Sequence, residues 1–222
     1  ENRLNSKRHG VKHIPKAVVL TLALLFCTAC GSTRQAECVD VLSNTENSRY
    51  SFELKYEDEK ELIAVTDKSS GESFIIPEET FVDESYSIMS IYPTENYLYY
   101  MKGRNSGVSI YRIKLSDMTR EEIIKSSDTA DKSILGLTFS WSDTENRFSA
   151  VRLFTDEKNI YLIDKNGMVF VLNPFAEKIT DCTCIIEESV LGGCIFDGKA
   201  IYYIDEDGVQ KMYNVVNKTF RI

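Results

Sequence analysis

Residues 93–100 read Pro93-Thr94-Glu95-Asn96-Tyr97-Leu98-Tyr99-Tyr100. After the turn Arg104-Asn105-Ser106-Gly107 the chain resumes with Ser109-Ile110-Tyr111-Arg112-Ile113. Two runs rich in Tyr, Ile and Leu, joined by polar residues ending in Gly, signal a hairpin. Aromatic and β-branched side chains suit a pleated surface, and Gly tolerates the positive φ that closes the turn. The unit recurs. Glu61-Leu62-Ile63-Ala64-Val65 leads through Lys68-Ser69-Ser70-Gly71 to Ser73-Phe74-Ile75-Ile76. Asn159-Ile160-Tyr161-Leu162-Ile163 leads through Asp164-Lys165-Asn166-Gly167 to Val169-Phe170-Val171-Leu172. Ala200-Ile201-Tyr202-Tyr203-Ile204 leads through Asp205-Glu206-Asp207-Gly208 to Lys211-Met212-Tyr213.

Outward from these units the period is two. Tyr50, Phe52 and Leu54 alternate with Ser51, Glu53 and Lys55. Leu135, Leu137, Phe139 and Trp141 alternate with Gly136, Thr138, Ser140 and Ser142, the cleanest half-buried strand pattern in the chain. Thr119 to Ser127 could be helical, although Met118 to Lys125 reads equally well as a charged edge strand. These signals give roughly sixteen or seventeen short strands. Thr-Glu-Asn also recurs at 45–47, 94–96 and 144–146. A repeat of about 40–50 residues with several strands per unit is the propeller pattern. The expected fold is all-β and β-propeller-like, with about four blades of antiparallel strands.

Residues 93–100 with 104–115 resemble the Ser-Pro-Asp-Gly-Lys plus "Ile-Tyr-Arg-hydrophobic-x-Leu" pattern of TolB-like (WD40-like) propeller blades. Phe139-Ser140-Trp141-Ser142-Asp143 with Asn146-Arg147-Phe148 resembles the same motif in its Trp-Ser-x-Asp-Gly form. The resemblance covers roughly residues 88–172, and the 198–213 hairpin matches loosely. Both copies lack the Gly, and the second lacks the Pro. The motif is structural and carries over no catalytic residue. That family mostly closes with six or seven blades, whereas this chain has room for about four. A split pair of sheets, a four-bladed ring and a truncated propeller all fit.

The other informative stretch is 12–32. Lys12, His13 and Lys16 precede the uncharged run Ala17 to Ala29, which leads into Cys30-Gly31-Ser32. A basic patch, a short apolar core and small residues before a cysteine make a secretory leader. A spanning helix needs about 20 apolar residues, and the end of this window is polar. The ending resembles the lipobox of bacterial lipoproteins, with Cys27 where Leu is usual. The resemblance implies a signal peptide over 1–29, lipid on Cys30, a tether over 30–37, and a propeller-like domain over 38–222. It further implies a cell-membrane protein, lipid-anchored on the extracytoplasmic face, whose first partner is the bilayer. Two or more acyl chains hold firmly at about 0.8 kcal/mol per buried methylene. A plain secretory leader cut elsewhere is the alternative.

Residues 1–29 hold five of the 26 basic and one of the 34 acidic residues, so the remainder carries a net charge of −12. Such a surface argues against nucleic acid and anionic lipid headgroups as partners. Both histidines, His9 and His13, lie in the leader. That excludes Ser-His-Asp and Cys-His nucleophile systems and His-ligated metals from residues 30–222. No cofactor and no metal are expected. Cys182-x-Cys184 with a distant Cys194 is too few ligands for structural zinc. Cys38, Cys182, Cys184 and Cys194 are read as free, half-buried thiols, with a disulfide between Cys194 and Cys182 or Cys184 across a hairpin as the alternative.

The acidic turns at 164–167 and 205–208 offer oxygen ligands near Gly but lack the bidentate Glu of a full calcium loop, and hairpin turns use the same residues. Tyr99, Tyr111, Tyr161 and Tyr202 are expected to match one another and pack between blades. Trp141 is expected in the core, with ligand stacking as its competing role. The reading is a non-enzymatic binding or scaffolding module for a protein or glycan partner. The alternatives are a histidine-free, carboxylate-dependent glycan-active enzyme and a structural cell-envelope assembly factor.

Overall fold

The computed structural model describes residues 39–42, 44–57, 60–76, 87–104, 107–125, 150–164, 166–175 and 183–222. Residues 1–37, expected to form a leader and tether with lipid on Cys30, the strand pattern 135–141 with Trp141, the 144–146 repeat, Cys38 and Cys182 all lie outside the described residues.

Sixteen strands and no helix make up the described residues, in four antiparallel sheets. Blade 1 contains β2 (Tyr50–Glu57), β3 (Lys60–Asp67) and β4 (Ser73–Ile75). Blade 2 contains β5 (Ser87–Pro93), β6 (Tyr97–Arg104), β7 (Gly107–Lys114) and β8 (Thr119–Ile124). Blade 3 contains β9 (Ala150–Thr155), β10 (Ile160–Asp164), β11 (Val169–Leu172) and β12 (Thr183–Ile186). Blade 4 contains β13 (Cys194–Phe196), β14 (Ala200–Ile204), β15 (Gln210–Asn214) and β16 (Thr219–Arg221). Each blade runs in chain order, and blade 4 gains β1 (Val39–Asp40) beside β13. The pairs Val39↔Phe196 and Asp40↔Ile195, and the Val41 N–H to the Cys194 carbonyl at 2.9 Å, join the first described strand to the last sheet. The architecture is β-propeller-like with four blades.

The second strands explain the continuous apolar runs in the sequence. Leu98 and Tyr100 of β6 pack into a cluster with Phe52, Ile63 and Val65 of blade 1. Tyr99 and Met101, on the other face, pack into the larger cluster with Leu153, Phe154 and Ile163 of blade 3. A strand between two neighbouring sheets is apolar on both faces, so period-two patterning gives way to a run. All five residues of β10 are buried for the same reason. All five of β14 are buried too, Ile201 and Tyr203 in the larger cluster and Ala200 and Tyr202 in a small cluster within blade 4. Complete burial of one such side chain contributes about 1.5–3 kcal/mol. The outer strand β8 has four exposed residues in a row, Thr119 to Glu122. The edge-strand reading of 118–125 is therefore the correct one, and its charges discourage edge pairing.

Cys184 pairs in register with Phe170 in blade 3, and Cys194 with Tyr203 in blade 4. Both are free, so the Cys184–Cys194 bridge does not form. Burial pushes the Cys194 thiol well up, and the Cys184 thiol up with help from Glu187.

Candidate functional site

One turn recurs at the same end of every blade, ahead of the second strand in blades 2 to 4 and ahead of β2 in blade 1. In blade 3 the Asp156 Oδ1 accepts the N–H groups of Lys158 and Asn159, at 3.0 and 2.6 Å. In blade 4 the Asp197 Oδ1 accepts those of Lys199 and Ala200, at 2.8 and 2.7 Å. In blade 1 Asn47 does the same for Arg49 and Tyr50, and in blade 2 the Thr94 hydroxyl accepts the Tyr97 N–H at 3.1 Å. Short oxygen-bearing side chains can all close such a turn.

Five residues on from each lies Phe52, Tyr99, Tyr161 or Tyr202. The Tyr161 hydroxyl donates to Asp156 Oδ2 at 2.9 Å, and that of Tyr202 to Asp197 Oδ2 at 3.1 Å. Tyr99 has Thr94 in place of the carboxylate. Its hydroxyl is buried and finds no acceptor, and the neighbouring Arg112 guanidinium does not reach good hydrogen-bond geometry. Burial pushes the Tyr99 phenol up, and the Arg112 guanidinium beside it partly offsets the shift. Tyr99, Tyr161 and Tyr202 thus match in position, and Tyr99 and Tyr161 pack between blades as expected; Tyr202 packs instead within blade 4, against Ile195, Ala200 and Met212. Tyr111 does not match them. It lies on a third strand, stacked on Tyr100 at 5.0 Å, and donates to Glu122 at 3.0 Å. The Thr-Glu-Asn repeat is also out of step: Asn47, not Thr45, takes the place of Thr94.

These turns hold one another. The Asn47 side-chain amide donates to the Thr94 carbonyl at 2.7 Å, and the Ser48 N–H and hydroxyl both donate to the Glu95 carboxylate. The Thr94 hydroxyl donates to Glu157 Oε1 at 2.7 Å. Bonds therefore run from blade 1 to blade 2 to blade 3 along one rim. Between these turns and the Lys114–Ser116 turn lies an open groove of about 410 Å³. Its walls include Arg49, Glu95, Asn96, Tyr97, Lys114 and Glu157. Arg49 covers the Tyr50 ring at 4.8 Å and pairs with Asp67 at 3.0 Å. Lys114 pairs with Asp117 at 3.2 Å. Arg112 supports Tyr97 from behind, its guanidinium 4.9 Å from that ring, 4.8 Å from the Phe175 ring and 2.7 Å from Glu121. A side chain fixed in this way loses little freedom when a ligand arrives.

A second open pocket, of about 340 Å³, is lined by Leu42, Asn44, Phe52, Ile91 and Arg152. There Arg152 donates to the Leu42 carbonyl at 3.4 Å, a seam between the first segment and blade 3.

At the opposite end of the blades, the acidic turns behave as turns. Asp164 Oδ1 accepts the N–H groups of Asn166 and Met168, and Asp205 Oδ1 those of Asp207 and Val209. Gly167 and Gly208 sit at φ +86° and +80°. Among the described residues no group of three His, Cys, Asp or Glu is placed to hold a metal.

The groove was not foreseen from the sequence. Its residues are spread from 49 to 157, and only the turn motif shared by 47, 94, 156 and 197 could have brought them together. Neither Cys30 nor Trp141 belongs to the described residues.

No family model matches the chain, and no curated protein matches it. Solved structures do. A chain of a nidogen/laminin complex is 12% identical with a TM-score of 0.45, over 78% of this chain and 58% of that one. A structural-genomics protein of unknown function from Bacteroides thetaiotaomicron is 16% identical with a TM-score of 0.48, over 80% of this chain and 45% of that one. The tricorn protease is 9% identical with a TM-score of 0.39, over 80% of this chain and 18% of that one. The chain spans little more than half of the first of these and less of the others. At such identities the likeness says nothing of function, and the four-bladed architecture stands on the sheet order.

Proposed function

We propose that this chain is an extracytoplasmic lipoprotein, held to the bilayer by lipid on Cys30, whose propeller-like domain is a binding module for a protein or glycan partner. The observation that carries the binding role is the rim groove: polar walls contributed by three blades and locked by bonds between turns. Its carboxylates favour binding over acid catalysis, because Glu95 and Glu157 are held as acceptors by Ser48 and Thr94.

The anchor fits this site. Val39 pairs with Phe196, next to the Asp197 turn, so the chain enters the domain from the end that carries the groove. Eight residues lie between Cys30 and Val39, a reach of about 30 Å at most over the nine steps. A lipid on Cys30 would hold the groove close to the membrane surface.

Two experiments test the two halves. Cys30→Ala should move the protein from the membrane fraction to the soluble one and abolish fatty-acid labelling; labelling that persists refutes the anchor. Asn96→Trp, at an exposed position, should fill the groove. Retention of the protein on cell-envelope material should fall with it, and unchanged retention removes the groove as the site.

A further inference from the structure

Glu157 adopts a backbone state that its residue type resists. Its φ is +67°. The equivalent residue in blade 4, one after the turn-closing Asp, is Gly198 at φ +80°. Glycine occupies that region freely, whereas a residue with a Cβ is strained there. Met118 and Lys218 adopt the same region in ordinary hairpin turns, so the angle alone marks no site, although such strain also gathers at functional ones. Here the side chain lines the groove, and the Thr94 hydroxyl of the neighbouring blade fixes one of its oxygens.

The groove's charges are not equally occupied. Its cations are engaged in ion pairs, Arg49 with Asp67 and Lys114 with Asp117. Its anions are held by neutral donors, Glu95 by Ser48 and Glu157 by Thr94. A carboxylate offers about four acceptor sites, so each retains capacity toward the groove. Fixed acceptors beside the Asn96 amide suit a ligand rich in hydroxyl donors, and they repel an anionic one. The volume lies within the ordinary range of small-ligand pockets, about 300–1,000 Å³.

We infer that the groove takes a neutral polyhydroxylated ligand, a segment of glycan, and that Glu157 is the specificity-determining acceptor that anchors it. This rests on the binding role proposed above. The ordinary alternative is that Glu157 serves only to staple blade 2 to blade 3.

The test is calorimetric titration of the full chain in detergent with short neutral oligosaccharides, with uronic-acid oligomers of the same lengths, and with a lysine-rich peptide. It is run on wild type, Glu157→Gly and Glu157→Gln, with a melting temperature for each. The expected result is that a neutral oligosaccharide binds wild type and that both variants weaken it about tenfold or more, the loss of a hydrogen bond to a charged group. Glu157→Gly should melt no lower than wild type, because Gly suits φ +67°. A lower melting temperature for both variants makes Glu157 a staple and overturns the inference. Unchanged oligosaccharide binding by the variants also overturns it, while leaving the binding role intact. Binding of only the uronates or only the peptide overturns the ligand class and leaves the groove a binding site.

Discussion

Tyr99 and Tyr161 occupy the same place in adjacent blades, both almost wholly buried, yet their hydroxyls differ in one respect. Tyr161 donates to Asp156 at 2.9 Å, whereas Tyr99 donates to nothing. Removing each hydroxyl should therefore change stability in opposite directions. A hydrogen bond to a charged group contributes about 1.5–3 kcal/mol. Asp156 is half-exposed and keeps the Asn159 amide on the same oxygen at 3.1 Å, so Tyr161→Phe should cost about 1–2 kcal/mol. A buried hydroxyl without a partner carries a desolvation penalty of about 1–3 kcal/mol in mutational data. Tyr99→Phe removes that penalty and leaves no cavity larger than one oxygen, so it should stabilise by about 1 kcal/mol. For a domain of this size 1 kcal/mol moves the melting temperature by about 2–4 °C. Thermal and urea unfolding of the two variants and wild type, with equal m-values, measures the difference. If Tyr99→Phe loses as much as Tyr161→Phe, the Tyr99 hydroxyl is bonded, Arg112 being the neighbour able to accomplish it, and the reasoning from Thr94 fails.

Other outcomes follow from the same geometry. Gly208→Ala meets only backbone strain at φ +80°, with nothing within 4 Å of the added carbon, and should cost about 1 kcal/mol. Gly167→Ala, at φ +86°, also drives its Cβ to 2.8 Å from the Ser189 Cα, and should cost clearly more in urea unfolding; equal costs would refute the close approach. Hydrogen bonds from Ser69 hold the Asp67 carboxyl well below its usual range, Thr119 holds Asp117 at about 2, and Lys211 with the Val209 N–H lowers Asp205. Depressed carboxyls contribute stability above an unfolded value of about 4 and lose it as pH falls further. The urea midpoint should thus be insensitive to these three groups between neutrality and about pH 5 and should drop below about pH 4, with wild type and Asp117→Asn converging near pH 2; a constant gap down to that pH contradicts the assignment. At the alkaline end burial raises the Tyr203 phenol to about 12. Its contribution should be complete below about pH 10 and disappear as pH rises toward 12, and Tyr203→Phe should abolish that part of the alkaline loss. Finally, Cys194 should resist alkylation in the native chain at pH 8 and react in urea, as mapped by mass spectrometry; rapid native labelling would show that its site is open.

The sequence by itself determined the strands and turns. Gly71, Gly167 and Gly208 mark hairpins because positive φ is a local demand, and runs such as Ile160-Tyr161-Leu162-Ile163 mark strands because their side chains suit little else. Even the choice between helix and edge strand at 118–125 was already divided in the sequence, and pairing with β7 decided it. The tertiary structure decided what is equivalent to what. Asn47, Thr94, Asp156 and Asp197 share one role through the position of an oxygen rather than a residue name, so the visible Thr-Glu-Asn repeat pointed two residues astray. Tyr111 looked like Tyr99 and is not, because its strand lies one place further out in the sheet. The groove was the least legible feature. Arg49, Glu95, Lys114 and Glu157 meet only because the turns of three blades converge on one rim, and the significance of Glu157 lies in a backbone angle that no side-chain pattern records.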